Sequence, residues 1–290
     1  MGNKLVFNNW DEESFKNDYD NNFIDFENQM MKVAKTNPKT SHSLFACAIL
    51  WFALKYIDKK EASSDELVNY MKLAMQGAYA HILTEMNLGK SQEVWIDQEL
   101  VTLEKEASTH KTDVATLVDI YDIACICRCE KVKKIIINQI DPGPFFHNSN
   151  LSKSYYYSLY YLEKTDSKNN TNLVQKQFEE VRTKAAAVYE NDNEWKKWYE
   201  KYLLPTIKLR EVLMIGNEVD FNIQLQEVLN KDRELKDVSP KVMNPNNWIP
   251  WEINSLACRA HDKGWKITVE DSRLLKFLVE GKCNVTSLEP

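Results

Sequence analysis

Seven glycines and eight prolines are all that this 290-residue sequence offers for reversing its direction. That is about half the usual share. Strands need a turn every few residues and helices do not, so this scarcity favours few, long, helical elements over a many-stranded sheet. Hydrophobic residues make up 43% of the chain and aromatic residues 11%, enough to give those elements a core and to exclude a disordered chain.

The apolar spacing agrees. Phe15, Tyr19, Phe23, Phe26, Met30 and Val33 recur at intervals of three and four behind the acidic start Asp11-Glu12-Glu13, which predicts a first amphipathic helix. A second, from Ser41 or Ser43 to Lys59, is apolar nearly all round and should be central. A third is expected from Ser63 to Gly89, with others over 91–108 and 113–139. Asp141-Pro142-Gly143-Pro144 is the strongest internal break, dividing halves 1–140 and 145–290 that read as one continuous helical domain.

Beyond it, a tyrosine-rich helix (151–163) and a polar loop (165–172) precede helices over 173–189, 194–214, 221–230 and 251–263. Pro205 should kink or split the second of these. Lys266–Val269 alternates polar and apolar residues like a short strand, and a last helix covers 273–279. The expected fold is all-α: an irregular antiparallel helical array or bundle, with one short strand near the C-terminus. No fixed repeat period marks it as a tetratricopeptide array.

Little in the chain points to chemistry. Net charge is −6, which argues against direct nucleic-acid binding and suits a basic protein partner. The apolar run Leu44–Leu54 is too short to span a bilayer, and residues 1–10 lack a secretory pattern, so a soluble cytoplasmic protein is expected. Its six cysteines then read as free thiols. On one helix Cys125 and Cys129 would share a face while Cys127 points away, so these three are not expected to hold a metal. None of the five histidines forms an HExxH pair. His261-Asp262 reads as a capping or packing pair before Gly264, because neighbours along a helix do not face each other. P-loop, GxGxxG and GxSxG motifs are absent, and no cofactor is expected.

Two blocks in the C-terminal third carry a resemblance. Gly216-Asn217-Glu218-Val219-Asp220-Phe221-Asn222, continued by Leu225, Val228 and Leu229, looks like a Gly-Asp-x-x-x-Phe-Asn helix start with a leucine-rich continuation. The stretch Ile249–Gly264 contains Leu256-Ala257-Cys258-Arg259-Ala260, then His261-Asp262 and Gly264, before the extended Lys266–Glu270. In this order and separation they resemble the immunity protein 49 family of bacterial polymorphic toxin systems. Gly216 and Gly264 would end helices, Phe221, Leu225 and Leu256 would pack inward, and Ala257 would allow close helix contact.

The resemblance implies a cytoplasmic immunity protein, without catalytic residues, that neutralises a cognate toxin by stoichiometric occlusion. A basic nuclease or another cytosol-acting effector would suit the negative charge. In an antiparallel array the loops after the 173 and 221 helices should share one end, so Glu190, Asp192, Glu194, Asp232 and Glu234 are the expected partner-binding patch. The residues by themselves leave open a helical scaffold that binds another partner, and an enzyme assembled around His261.

Overall fold

The computed structural model describes residues 29–36, 40–58, 64–86, 91–103, 114–139, 171–189, 195–237 and 249–290. The expected first helix is described only over 29–36, which is helical. The Asp141–Pro144 break, the 151–163 helix and the polar loop to residue 170 lie outside the described residues.

Helices dominate, as the sequence requires. α1 (Ser41–Asp58) and α2 (Ser64–Met86) form the most intimate helix pair. α1 is indeed central: Leu44, Ala48, Trp51, Phe52 and Ala53 are fully buried. Gly77 of α2 lets the two backbones approach, since a Cβ there would lie 2.9 Å from both the Phe45 nitrogen and the Ser41 oxygen.

Residues 91–103 do not form the expected helix. They contain an antiparallel hairpin, β1 (Gln92–Ile96) and β2 (Glu99–Leu103), with Val94 opposite Val101 and Ile96 opposite Glu99. Period-two burial of Val94, Ile96, Val101 and Leu103 outweighs any helical reading. The turn uses Asp97 at φ +58 and no glycine, which is why it does not announce itself. Tertiary contacts compensate. Asp97 N–H donates to buried Gln76 Oε1 (2.8 Å), and Lys35 Nζ donates to Asp97 Oδ2 (3.4 Å) and Glu99 Oε1 (2.8 Å). Gln76 Nε2 also donates to the Leu288 carbonyl (2.8 Å), tying the hairpin region to the C-terminus.

The expected single helix over 113–139 is two: α3 (Val114–Ile126) and α4 (Glu130–Gln139). Arg128 turns the chain in the left-handed region (φ +53), with Cys129 N–H reaching back to the Ala124 carbonyl (2.9 Å). That is a helix ending usually made by glycine. Cys127 therefore does not point away along a continuous helix. It touches Cys283, with Cys129 and Cys258 close by, and all four are buried.

α5 (Thr171–Tyr189) follows expectation. Pro205 splits the next helix: α6 (Lys196–Trp198) enters a π turn (Tyr199–Leu203) that leads into α7 (Leu204–Ile215). The wider turn falls where Pro205 has no N–H to give, and Leu204 N–H bonds to the Tyr199 carbonyl five residues back. α8 (Glu218–Asp237) is longer than expected, α9 (Trp251–Asp262) closely matches, and α10 is only Lys276–Val279. Lys266–Val269 is extended but forms no ladder.

α9 packs on α3, and Phe52 of α1 meets Trp251 of α9 and Phe277 of α10. The described buried apolar residues from Ala34 to Leu288 form one cluster. Among the described residues, no helix is long and apolar enough to cross a membrane.

Candidate interaction surface

The C-terminal frame is built on α8. Asn217 caps it, its Oδ1 accepting from Asp220 N–H at 3.0 Å. Gly216 precedes the cap because a Cβ there would stand 2.7 Å from the Val212 oxygen. Phe221 and Leu225 are fully buried, Phe221 against Trp265 (5.6 Å between centroids). The extended 265–270 segment is strapped to α8 by side chains instead of a strand. Lys266 N–H donates to Glu218 Oε2 (2.9 Å) and Thr268 N–H to Asn222 Oδ1 (2.8 Å), while Asn222 Nδ2 donates to the Lys266 carbonyl (2.9 Å).

The second block behaves similarly. Leu256 and Ala257 are fully buried on α9, which packs on α3. Gly264 ends α9 at φ +93, with Trp265 N–H reaching the Ala260 carbonyl (3.0 Å). His261 Nδ1 lies 3.7 Å from Asp262 Oδ1, and both side chains are exposed. Asp262 works for Arg128, accepting from its Nε (3.1 Å) and NH2 (2.9 Å). The same guanidinium caps the carbonyls of Ile126, Leu278 and Val279, which offsets the strained turn at Arg128.

Two buried ion networks hold these elements. Arg273 NH1 donates to Asp232 Oδ2 (2.7 Å), its Nε and NH2 engage Asp271, and NH2 also reaches the Leu229 carbonyl (2.5 Å). Burial works against ionised Asp271, but the hydrogen bonds and charge of Arg273, with Arg233 beside it, hold its carboxyl below the usual range. In the other network, fully buried Arg210 lies 3.0 Å from Glu252 and 3.5 Å from Asp122, which also accepts from Ser255 Oγ (2.9 Å). Burial pushes Asp122 up to about 6, against the pull of Arg210. Burial likewise pushes the Cys258 thiol up to about 12, so it stays protonated. No group of described residues could hold a metal ion.

Residues 149–274 match the family model for immunity protein 49. The match takes in both C-terminal blocks and every described element from α5 to α9. Searches of curated proteins and of solved structures returned no match.

Within the immunity protein 49 span, the expected acidic patch is only partly present on the surface. Asp232 is buried under Arg273, which satisfies a charge the core could not otherwise hold, so it is not available to a docking partner. Glu234 is exposed and paired with Lys201 of the π turn, which brings the far part of α8 beside that turn. Glu190, Asp192 and Glu194 lie outside the described residues.

A feature not singled out in the sequence lies at the π turn. Tyr189 of α5 packs edge-on against Trp198 (5.5 Å), Trp195 meets Trp198 at 89° (6.0 Å), and Trp198 stacks on Tyr202 (5.8 Å). Trp195 leaves 49% of its surface exposed. The run Trp195-Lys196-Lys197-Trp198-Tyr199-Glu200-Lys201-Tyr202 carries the signal, aromatic residues interleaved with charge just before a proline. Leu173, Val219 and Ile223 are further exposed apolar side chains in the matched span, the last two one helical turn apart on α8.

Proposed function

We propose that this chain neutralises a cognate bacterial toxin by direct stoichiometric binding that occludes the toxin's working surface. The match of residues 149–274 to immunity protein 49 carries this reading. The physical character of the chain is compatible with it. Large side chains exposed within the matched span, Trp195 above all, are the kind that anchor protein complexes. The net charge of −6 favours encounter with a basic partner such as a nuclease, which is the toxin class we favour. On this reading the protein acts in the cytoplasm, by binding and not by turnover, and uses no cofactor. Glu190, Asp192, Glu194 and Glu234 are its acidic contact residues, while Asp232 serves the interior.

Co-expression tests the proposal. Cells producing the toxic domain encoded beside this gene should die without the chain and grow with it. Continued killing in the presence of full-length, folded chain removes the proposal.

A further inference from the structure

The hairpin that stands in place of the expected helix leaves a strand edge open. Its sheet has two strands, so each has a neighbour on one side only. β1 lies against α2, which makes β2 the outer strand. A two-residue turn makes Ile96 and Glu99 a hydrogen-bonded pair, after which bonded and non-bonded pairs alternate along the ladder. Val94 and Val101 therefore bond each other, while Leu100 and Thr102 turn their N–H and C=O groups away from β1. Among the described residues those groups meet no other backbone. The outward face is apolar as well: Leu100 leaves 49% of its surface exposed beside its cross-strand partner Trp95.

Open edges of this kind are normally blunted by proline, lysine or a bulge. β2 reads Glu99-Leu100-Val101-Thr102-Leu103 and has none of these. Its one charge, Glu99, is paired with Lys35 (2.8 Å). The hairpin also lies outside the part of the chain that matches the immunity family, which begins at residue 149.

This strand is complementary to itself. Two antiparallel copies of β2, related by a two-fold axis at Val101, set Leu100 of each opposite Thr102 of the other. In that register every outward N–H and C=O of both residues finds a partner, giving four hydrogen bonds. The two Glu99 carboxylates stand about 14 Å apart, beyond the screening length in about 0.1 M salt, so no like charges are opposed.

We propose that β2 is the docking edge for a second copy of this chain, joining two hairpins into one four-stranded sheet across a two-fold axis. The pairing does not depend on the immunity reading. Strands this short cover less than the roughly 1,200–2,000 Å² of a stable interface, so the dimer is reversible, with a dissociation constant on the order of tens of micromolar.

Sedimentation of the full chain from about 5 μM to about 500 μM should follow monomer passing to dimer. At the upper end, hydrogen exchange should slow at the Leu100 and Thr102 amides, which are not bonded to β1, while Val101 exchanges alike in both states. Thr102→Pro removes an outward donor and Leu100→Lys charges the edge, so each should weaken dimerisation about tenfold or more. Glu93→Lys, which puts the same side chain on the outward face of β1, should dimerise as wild type does. Thermal unfolding checks that the variants fold, and if Thr102→Pro does not, Leu100→Lys decides.

A chain that stays monomeric throughout overturns the proposal. So does a dimer that resists both edge substitutions, one that Glu93→Lys disrupts instead, or one whose Leu100 and Thr102 amides exchange as fast as in the monomer. Protection of those amides by the adjacent toxic domain, with no dimer formed, gives the edge to the toxin and overturns self-pairing.

Discussion

Replacing Arg210 with Met should be among the most damaging single changes in the described structure, and its cost should depend on pH. The guanidinium is fully buried and is placed between Glu252 (3.0 Å) and Asp122 (3.5 Å). Methionine fills much of the volume but leaves the buried Asp122 carboxylate and the partly buried Glu252 carboxylate without the cation between them. Breaking a buried pair in this way costs about 3–5 kcal/mol, a large share of a typical total of about 5–15 kcal/mol.

Asp122→Asn is the contrasting change. It removes a negative charge that burial already disfavours, keeps an acceptor for Ser255, and leaves Arg210 with Glu252. Its cost should stay under about 1.5 kcal/mol. In wild type the Asp122 carboxyl is raised from 3.8 to about 6 in the folded chain, so the folded state takes up that proton first. This group therefore weighs against folding above about pH 6 and ceases to do so as pH falls toward 3.8. Without Arg210 its carboxyl rises further and can protonate to escape the repulsion, so the Arg210→Met penalty should shrink on acidification. Urea unfolding at about pH 8 and about pH 5.5 measures both effects. A penalty under about 1 kcal/mol at the higher pH, or one that grows in acid, would refute the reasoning.

Gly77→Ala should cost about 1–3 kcal/mol by thermal unfolding, because the new methyl group meets the α1 backbone at 2.9 Å and the two helices must part. Asn222→Ala removes both side-chain bonds to the strap, so amide exchange should quicken at Thr268 while that of the α9 core is unchanged. Asp271 is held below its ordinary value of 3.8 by Arg273 and Arg233, so the stability it contributes is present above 3.8 and is lost as pH falls through the lower folded value. Asp271→Asn should therefore destabilise the protein at neutral pH by about 1–3 kcal/mol and flatten the acid limb of its stability curve.

Helices whose apolar residues run through several turns were legible from the chain. α1, α2, α5 and α9 lie close to where spacing and end signals put them, and Pro205 divides its helix as its missing N–H demands. What the pattern hid was decided by distant partners. The hairpin turn at Asp97 lacks glycine because Gln76 and Lys35 hold it. The α3–α4 break passes through an arginine because Asp262 and the distant carbonyls of Leu278 and Val279 secure that side chain, with the neighbouring Ile126 carbonyl. Lys266–Val269 alternates like a strand, yet its partners are side chains of α8, 44 to 48 positions away.

The candidate surface was legible in the same uneven way. Glu234 could be read as exposed, but Asp232, two positions earlier, faces inward on the same helix to meet Arg273. Trp195 and Trp198 pass in sequence for core residues. Only the structure shows Trp195 half exposed while Trp198 packs against Tyr189 and Tyr202.

Titrating the adjacent toxin's activity with this chain goes most directly to the central claim. Occlusion predicts a linear fall to zero at one equivalent, with a 1:1 complex recovered intact afterwards. Complete inactivation by a small fraction of an equivalent, or full activity at a large excess of folded chain, would contradict it.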